Sequence, residues 1–347
     1  MEILIGSLLC AAGGLGIGIF LLPLKFSKTW KWENSWLAAA LLMYVIFPVI
    51  SIILLIPQAM EIYSRTPAHD LFMIYLFGLI QGTGALVFTY GATLLGLSLG
   101  YALITGTIAA IAILIPLFGA HSDRLSSLDG ITLLIGCAIL LVGIVFSGKA
   151  GVLRERQKSE NKQSAKKLNF WLVAFIVGWA GIANSLWYFT FEFQQGMKAV
   201  AIDKYGVNDY LWGFLNVVPF FFGMFTTNLL IMLGKMIRDG SLKNYWAARG
   251  LGREYALAAL IGLVWYLGQG IGYTVGFNLL GPLGVAVGAA LFMGTMIVAS
   301  NIAGVRTGEW KGVKADTTRA LYIGLFLLVL AMIVIAVGNY MQQKVRG

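Results

Sequence analysis

The sequence predicts an all-α integral membrane protein with ten transmembrane helices, arranged as two inverted five-helix repeats. Of the 347 residues, 59% are hydrophobic and only 12% are charged, which is about half the charged fraction of an average globular chain. Such a chain has more apolar surface than one soluble core can bury, so lipid is its expected solvent. The 43 glycines agree with this prediction, because small residues let membrane helices approach closely.

Ten mostly apolar stretches of about 20 residues are long enough to cross a bilayer as helices. They are 3–24, 36–56, 71–94, 98–118, 130–147, 170–193, 210–234, 255–278, 282–303 and 320–341. One polar stretch, the basic linker 149–169, divides them evenly. We therefore predict a first five-helix half at 1–148 and a second at 170–347.

The distribution of basic residues predicts the orientation. Of the 25 Lys and Arg residues, 19 lie in the connections that follow helices 1, 3, 5, 7 and 9. Because short cytoplasmic loops are enriched in Lys and Arg, these connections and the linker are predicted to be cytoplasmic and both termini periplasmic. The net charge of +10 also admits a nucleic-acid or lipid patch on the linker. Basic charge beside a membrane span is more typical of an orientation signal, and no nucleic-acid partner is expected.

An odd number of helices per half makes the second half enter the membrane in the opposite sense, which is the inverted-repeat plan of many secondary transporters. The third and eighth predicted helices carry traces of such a repeat. When they are aligned, Gly78 matches Gly262 and Gly91 matches Gly276.

The sequence contains no recognisable enzyme or metal site. No His, Cys and carboxylate cluster has metal-ligand spacing, and no nucleophile has an intramembrane base beside it. The stretch "GIVFSGKA" (143–150) lacks the final Ser or Thr of a phosphate-binding loop and ends a predicted helix. We expect neither catalysis, nor a cofactor, nor ATP as an energy source.

Two polar stripes predict a central cavity. In helix 6, Asn184, Tyr188 and Glu192 recur every four residues, and in helix 8 Trp265, Gln269 and Tyr273 do the same, so each set shares one helix face. Amides suit sugar hydroxyls, and flat rings suit the C–H faces of a sugar. Interhelical hydrogen bonds and an interfacial aromatic belt are the ordinary alternatives. The candidate substrate-binding residues are Gln81, Asn184, Trp187, Tyr188, Trp265, Tyr266, Gln269, Tyr273 and Asn301.

Glu192 ends an aromatic run, "WYFTFEFQQG" (187–196), and three interpretations of it stay open. Helix 6 ends there and the carboxylate meets headgroup water, or Glu192 pairs with a basic residue such as Lys25. In the third interpretation it faces the cavity and couples transport to a proton, since an intramembrane acid is a functional candidate.

Five stretches carry a resemblance to a known family: "PLKFSKTWKWENSW" (23–36), "FGLIQGTG" (77–84), "YGATLLGLSLG" (90–100), "GLVWYLGQGIGYTVG" (262–276) and "SNIAGVRTGEWKG" (300–312). The chain resembles the L-rhamnose–proton symporters of the drug/metabolite transporter superfamily over nearly its whole length. The resemblance implies a bacterial inner-membrane protein that takes up a 6-deoxyhexose with protons through a central cavity. It departs from the family pattern at Glu192, where rhamnose carriers have an amide or a small residue.

Other functions remain open at this stage. An exporter of small metabolites or drugs shares the superfamily fold, and a membrane sensor that transports nothing is a third class. The coupling ion, proton or Na⁺, and the oligomeric state, monomer or homodimer, also stay open.

Overall fold

The computed structural model describes residues 2–95, 100–108, 111, 127–160, 170–247, 249–280 and 288–346. These ranges contain helices and turns but no strand. The helices are α1 (Glu2–Ile19), α2 (Trp32–Leu41), α3 (Phe47–Leu55), α4 (Ala59–Arg65), α5 (Ala68–Leu95), α6 (Leu128–Glu160), α7 (Phe170–Phe193), α8 (Gln195–Ala199), α9 (Gly213–Arg238), α10 (Asn244–Ala247), α11 (Leu251–Trp265), α12 (Thr274–Leu279), α13 (Ala289–Arg306) and α14 (Ala315–Arg346). Residues 100–108 are also helical.

Seven helical segments of the described part are long and apolar enough to cross a membrane. They are Leu4–Phe26, Trp32–Leu55, Ala68–Leu95, Gly130–Gly151, Gly213–Arg238, Leu251–Leu279 and Ala315–Ile335. Two shorter apolar helices, Trp171–Trp187 and Leu291–Arg306, lie where the sixth and ninth helices are predicted. The predicted helix 98–118 is described only at 100–108 and 111, and residues 281–287 of the ninth prediction lie outside the description. The all-helical membrane class is confirmed, and the count of ten stays a prediction.

One helix continues beyond its predicted membrane span, 130–147, which corresponds to the apolar segment Gly130–Gly151. Helix α6 continues to Glu160, although the prediction ended it at 147 and began the linker at 149. The added segment, "GKAGVLRERQKSE", is rich in Glu, Lys, Arg and Gln, which are good helix formers in water. Hydropathy marks where a helix leaves lipid, and this helix continues beyond that point.

Two membrane segments contain π-helical turns, which often occur at functional sites. Leu42–Ile46 joins α2 to α3, and Tyr266–Tyr273 joins α11 to α12. The second turn, "YLGQGIGY", carries glycine at every second position from 268 to 272.

Glycines allow the helix backbones to touch. Helix α1 packs against α13 and against the α11–α12 segment, α5 packs against α7 and α9, and α6 packs against α14. A Cβ atom at Gly13 would lie 2.7 Å from the carbonyl oxygen of Gly268, and one at Gly268 would lie 2.8 Å from that of Gly13. A side chain at either position would push α1 away from the π-helical turn, so the close packing depends on these small residues.

Candidate functional site

A cavity of about 130 Å³ lies between helices of both halves of the chain. Its wall includes residues of α1, α2, α5, the helical residues 100–108, α7, α9, α11, α13 and both π-helical turns. Pockets for drug-sized ligands usually measure about 300–1,000 Å³. The cavity therefore suits a small solute.

The described wall is mostly apolar, with a few polar groups and no charged side chain. Gln81, Thr89, Thr105, Asn184 and Gln269 supply amides and hydroxyls, and the remaining wall is aromatic or aliphatic. Neutral donors and acceptors beside flat rings match a neutral solute with hydroxyl groups and C–H faces.

Three polar atoms in this wall are buried without a hydrogen-bond partner among the described residues. They are the Oε1 atom of Gln81, the Oγ1 atom of Thr105 and the Nε1 atom of Trp187. The first accepts, the third donates, and the hydroxyl of Thr105 can do both. Because roughly 90% or more of buried polar groups are hydrogen-bonded in folded proteins, these three atoms are the candidate groups in this cavity for hydrogen bonds to a ligand.

Six predicted site residues come together in the cavity wall. They are Gln81, Asn184, Trp187, Trp265, Gln269 and Tyr273. The Nδ2 atom of Asn184 donates to the carbonyl oxygen of Ala180 at 2.7 Å, so its amide is partly engaged within α7. Tyr188 and Glu192 lie in α7, and their side chains fall outside the described part of the structure.

Two predicted residues do not belong to the cavity wall. The ring of Tyr266 packs against Phe47, with 5.7 Å between the ring centroids, because adjacent residues of a helix point in different directions and Trp265 takes the cavity side. The Nδ2 atom of Asn301 donates to the carbonyl oxygen of Ile297 at 2.8 Å, within its own helix.

Four wall residues that carry a polar group were not predicted from the sequence: Trp36, Tyr44, Thr89 and Thr105. Trp36 donates from Nε1 to the Oδ1 atom of Asn228 at 2.6 Å, which fixes its ring at the wall. Trp36 and Tyr44 lie in an apolar stretch of the sequence, where an ordinary core position would be expected for each of them. Only their packing distinguishes them.

A chain of aromatic rings crosses the cavity wall and joins four elements. Phe221 of α9 lies 5.1 Å from Trp265 of α11 and 6.4 Å from Trp187 of α7, and Tyr44 of the first π-helical turn lies 5.0 Å from Trp265. Tilted and edge-to-face pairs of this kind favour fixed ring positions. The rings therefore form a preorganised surface beside the hydrogen-bonding groups.

The tryptophan-rich first loop is held by a buried carboxylate. Glu254 of α11 accepts hydrogen bonds from the hydroxyl of Ser27 at 2.6 Å and from the backbone N–H groups of Lys28 at 2.9 Å and Thr29 at 3.1 Å. Trp30 donates from Nε1 to the carbonyl oxygen of Asn244 at 3.0 Å. The α1–α2 loop is thus bound to the α9–α11 connection.

A second polar cluster surrounds Glu309 of the "GEWKG" stretch. Lys25 donates to it at 2.8 Å and also to the hydroxyl of Thr307 at 2.6 Å. Arg154 of α6 lies 3.8 Å from the other carboxylate oxygen and 5.2 Å above the ring of Trp310. The ion pair therefore joins the two most distinctive motifs of the sequence, and Lys25, considered above as a partner for Glu192, is bound to Glu309.

A local charge cluster lies at the end of α9 and centres on Asp239, the first residue after the apolar span Gly213–Arg238. The carboxylate of Asp239 accepts hydrogen bonds from Lys235 at 2.5 Å and from Arg238 at 3.0 Å. These hydrogen bonds, led by that from Lys235, lower the pKa of Asp239 to about 2.

Comparison with known proteins decides the family. The model of the L-rhamnose-proton symport protein family matches residues 1–341. The chain belongs to this family. It is therefore a multi-pass protein of the bacterial inner membrane, in a family of proton symporters.

The chain is also similar to curated members of the L-rhamnose-proton symport protein family. It is 25% identical over 335 residues to the L-rhamnose-proton symporter of Citrobacter koseri, and 27% identical over 335 residues to that of Escherichia coli strain 55989. Both alignments cover 94% of this chain and 95% of the relative. No solved structure matches the chain significantly.

Proposed function

We propose that this chain is a proton-coupled L-rhamnose importer that works by alternating access. One observation carries the proposal: an uncharged cavity holds a buried acceptor, a buried donor and a buried hydroxyl without partners among the described residues. Relatives that align along almost the whole chain are named L-rhamnose-proton symporters.

The chemistry of a 6-deoxyhexose fits these groups. A sugar hydroxyl donates to the Oε1 atom of Gln81, another accepts from the Nε1 atom of Trp187, and the hydroxyl of Thr105 takes either role. Each such exchange replaces a desolvated, unpaired group by a hydrogen bond. The rings of Trp265 and Tyr273 are available for the apolar face of the sugar.

Binding to the purified protein tests this site. We expect L-rhamnose to bind, and Trp187→Phe to weaken the affinity about twofold to tenfold, because the ring stays and one hydrogen bond is lost. Trp30→Phe is the control, since it removes an indole hydrogen bond far from the cavity wall and leaves the affinity unchanged. Absence of L-rhamnose binding to the wild-type protein rejects the proposed function.

We propose ten helices in two inverted halves, and the helix contacts support this plan. If the two halves are exchanged, the contact of α1 with α11–α12 corresponds to the contact of α7 with α5. The contact of α5 with α9 then corresponds to the contact of α11 with α2. The α6–α14 and α2–α9 contacts map onto themselves. The exchange of halves thus relates these helix contacts in pairs or to themselves.

The glycines that the sequence alignment pairs also have equivalent neighbours. Gly78 contacts Phe220 of α9. Its counterpart Gly262 lies against α2, where a Cβ atom added to Gly262 would be 3.0 Å from the carbonyl oxygen of Ala39. Gly91 contacts α7, and its counterpart Gly276 contacts α1. Under the exchange of halves, α9 corresponds to α2 and α7 corresponds to α1, so both pairs obey the same rule.

We further propose periplasmic termini and a cytoplasmic linker, because 19 of the 25 basic residues then lie on one side. Single cysteines at Ser164 and Gly347, in a background without Cys10 and Cys137, test the orientation. An impermeant maleimide added to intact cells should label Gly347→Cys alone. Labelling of Ser164→Cys would reverse the assignment.

Glu192 is the proposed coupling residue. It lies in the last turn of α7, eight residues after the cavity residue Asn184 and on the same helix face. The described cavity wall has no charged group, so a transported proton needs a carrier beside it.

The variant Glu192→Gln mimics the protonated residue. Sugar binding and exchange of labelled for unlabelled sugar should survive, while accumulation driven by a pH gradient is lost. Glu61→Gln, at an exposed glutamate, is the control that keeps accumulation. Wild-type accumulation by Glu192→Gln would leave Glu192 as a residue of the helix end.

A further inference from the structure

The parts of the cavity wall that come from different helices differ in chemistry. The side formed by α5, the helical residues 100–108 and α7 carries the unpaired atoms of Gln81, Thr105 and Trp187. The side formed by α13 and α1 presents Phe292, Met293, Met296, Ile17 and Phe20, which are all at most 9% exposed.

The apolar side stays apolar because the polar residues of α13 are engaged elsewhere. Thr295 donates to the carbonyl oxygens of Leu291 at 2.7 Å and Ala11 at 3.0 Å, so it faces the contact with α1. Ser300 donates to the carbonyl oxygen of Ile297 at 2.9 Å. The face that α13 turns toward the cavity therefore consists of one phenylalanine and two methionines, and a thioether is only a weak acceptor.

We infer that this methionine wall selects a 6-deoxy sugar by holding its C6 methyl group. The inference rests on the proposed function and adds an orientation: the ring hydroxyls point to Gln81, Thr105 and Trp187, and C6 points to Met293 and Met296. Methionine side chains are soft and adaptable, so they pack closely around a methyl group. A 6-hydroxy sugar in the same pose would bury its extra hydroxyl against thioethers, which are only weak acceptors.

The discriminating pair of ligands is L-rhamnose and L-mannose, which differ only by the hydroxyl at C6. An apolar pocket typically disfavours an added hydroxyl by about a hundredfold, and we expect the wild-type protein to prefer L-rhamnose by roughly tenfold to a hundredfold. Gln has nearly the shape of Met but offers a donor and an acceptor. Met293→Gln and Met296→Gln should therefore reduce the preference by about threefold to tenfold, the worth of one recovered hydrogen bond.

Matched controls separate polarity from packing. Met293→Leu and Met296→Leu keep the wall apolar and should keep the preference. Thr105→Val removes a hydroxyl from another part of the wall and should weaken the binding of both sugars by the same factor, so it should leave their affinity ratio unchanged.

The affinity ratio of the two sugars, measured by direct binding to each purified variant, is the readout. A wild-type ratio near one, or equal ratios in the Gln and Leu variants, would overturn the methyl-pocket inference while leaving L-rhamnose binding intact. A wild-type protein that binds neither sugar would instead overturn the proposed function and the inference together.

Discussion

Replacing Gln81 by methionine should raise the stability of the sugar-free protein and lower its affinity for L-rhamnose. The change keeps the approximate shape of the side chain and removes its amide. The Oε1 atom of Gln81 is buried without a partner among the described residues. An unsatisfied buried polar group costs about 1–3 kcal/mol. The sugar-free variant lacks this group and is therefore more stable than the sugar-free wild type.

The same substitution removes one hydrogen bond from the complex, which lowers the affinity about twofold to tenfold. A ligand at a hundred times its Kd stabilises a protein by about 2.7 kcal/mol. If the affinity falls tenfold, the same sugar concentration stabilises the variant by only about 1.4 kcal/mol. The two effects oppose each other, and few structural substitutions would produce both.

Thermal unfolding of the purified protein, with and without L-rhamnose, measures both effects. The Gln81→Met variant should unfold at a higher temperature than wild type without sugar and gain a smaller shift with it. Gln157→Met is the matched control, because the amide of Gln157 donates to Thr317 at 2.8 Å and accepts from the backbone N–H of Lys314 at 2.9 Å. That variant should lose stability and keep its sugar shift. A Gln81→Met protein that loses stability and keeps the full shift would refute the assignment of Gln81.

Three further predictions concern packing and charge. Gly13→Ala should lower the free energy of unfolding by about 1–3 kcal/mol, since its Cβ atom would lie 2.7 Å from a backbone oxygen. Gly234→Ala, whose Cβ atom would lie in open space on α9, should raise the free energy of unfolding by up to about 1 kcal/mol. Equal effects of the two substitutions would contradict the close contact at Gly13. Glu309→Gln should cost about 1–3 kcal/mol, because it removes a charge-assisted hydrogen bond from Lys25 and the carboxylate beside Arg154. The exposed Glu61→Gln should cost less than about 1 kcal/mol. Because the pKa of Asp239 is lowered to about 2, its contribution to stability is complete above about pH 4 and disappears as the pH falls through about 2. Asp239→Asn should therefore lower the unfolding temperature much less at pH 2 than at pH 7, and a difference of the same size at both values would reject the linkage.

Helix positions could be predicted from the sequence because the cost of placing polar groups in lipid is large and local. The apolar stretch 71–94 predicts α5 to within three residues at its start and one at its end. The end of α6 could not be predicted, because beyond the membrane the helix is stabilised by propensity, which hydropathy does not measure. The π-helical turn Tyr266–Tyr273 also left no clear signal, since glycine is common throughout the chain.

The site was partly predictable for a related reason. Gln81, Asn184 and Gln269 are amides within apolar helices, where polarity itself is the signal. Threonine gives no such signal, because it usually bonds to its own helix: Thr89 donates to the carbonyl oxygen of Ala85 at 2.9 Å, whereas Thr105 has no partner in the described structure. Asn301 shows that polarity alone is not sufficient: like Asn184 it is an amide that donates within its own helix, but it does not belong to the cavity wall.

Accumulation of labelled L-rhamnose by proteoliposomes tests the central claim most directly. The protein is reconstituted, and an inward proton gradient is imposed in the absence of Na⁺. We predict that the sugar concentrates inside, that a protonophore abolishes the accumulation, and that a Na⁺ gradient at equal pH cannot replace the proton gradient. Equilibration of the sugar without accumulation, or accumulation driven by Na⁺ alone, would contradict proton-coupled L-rhamnose uptake.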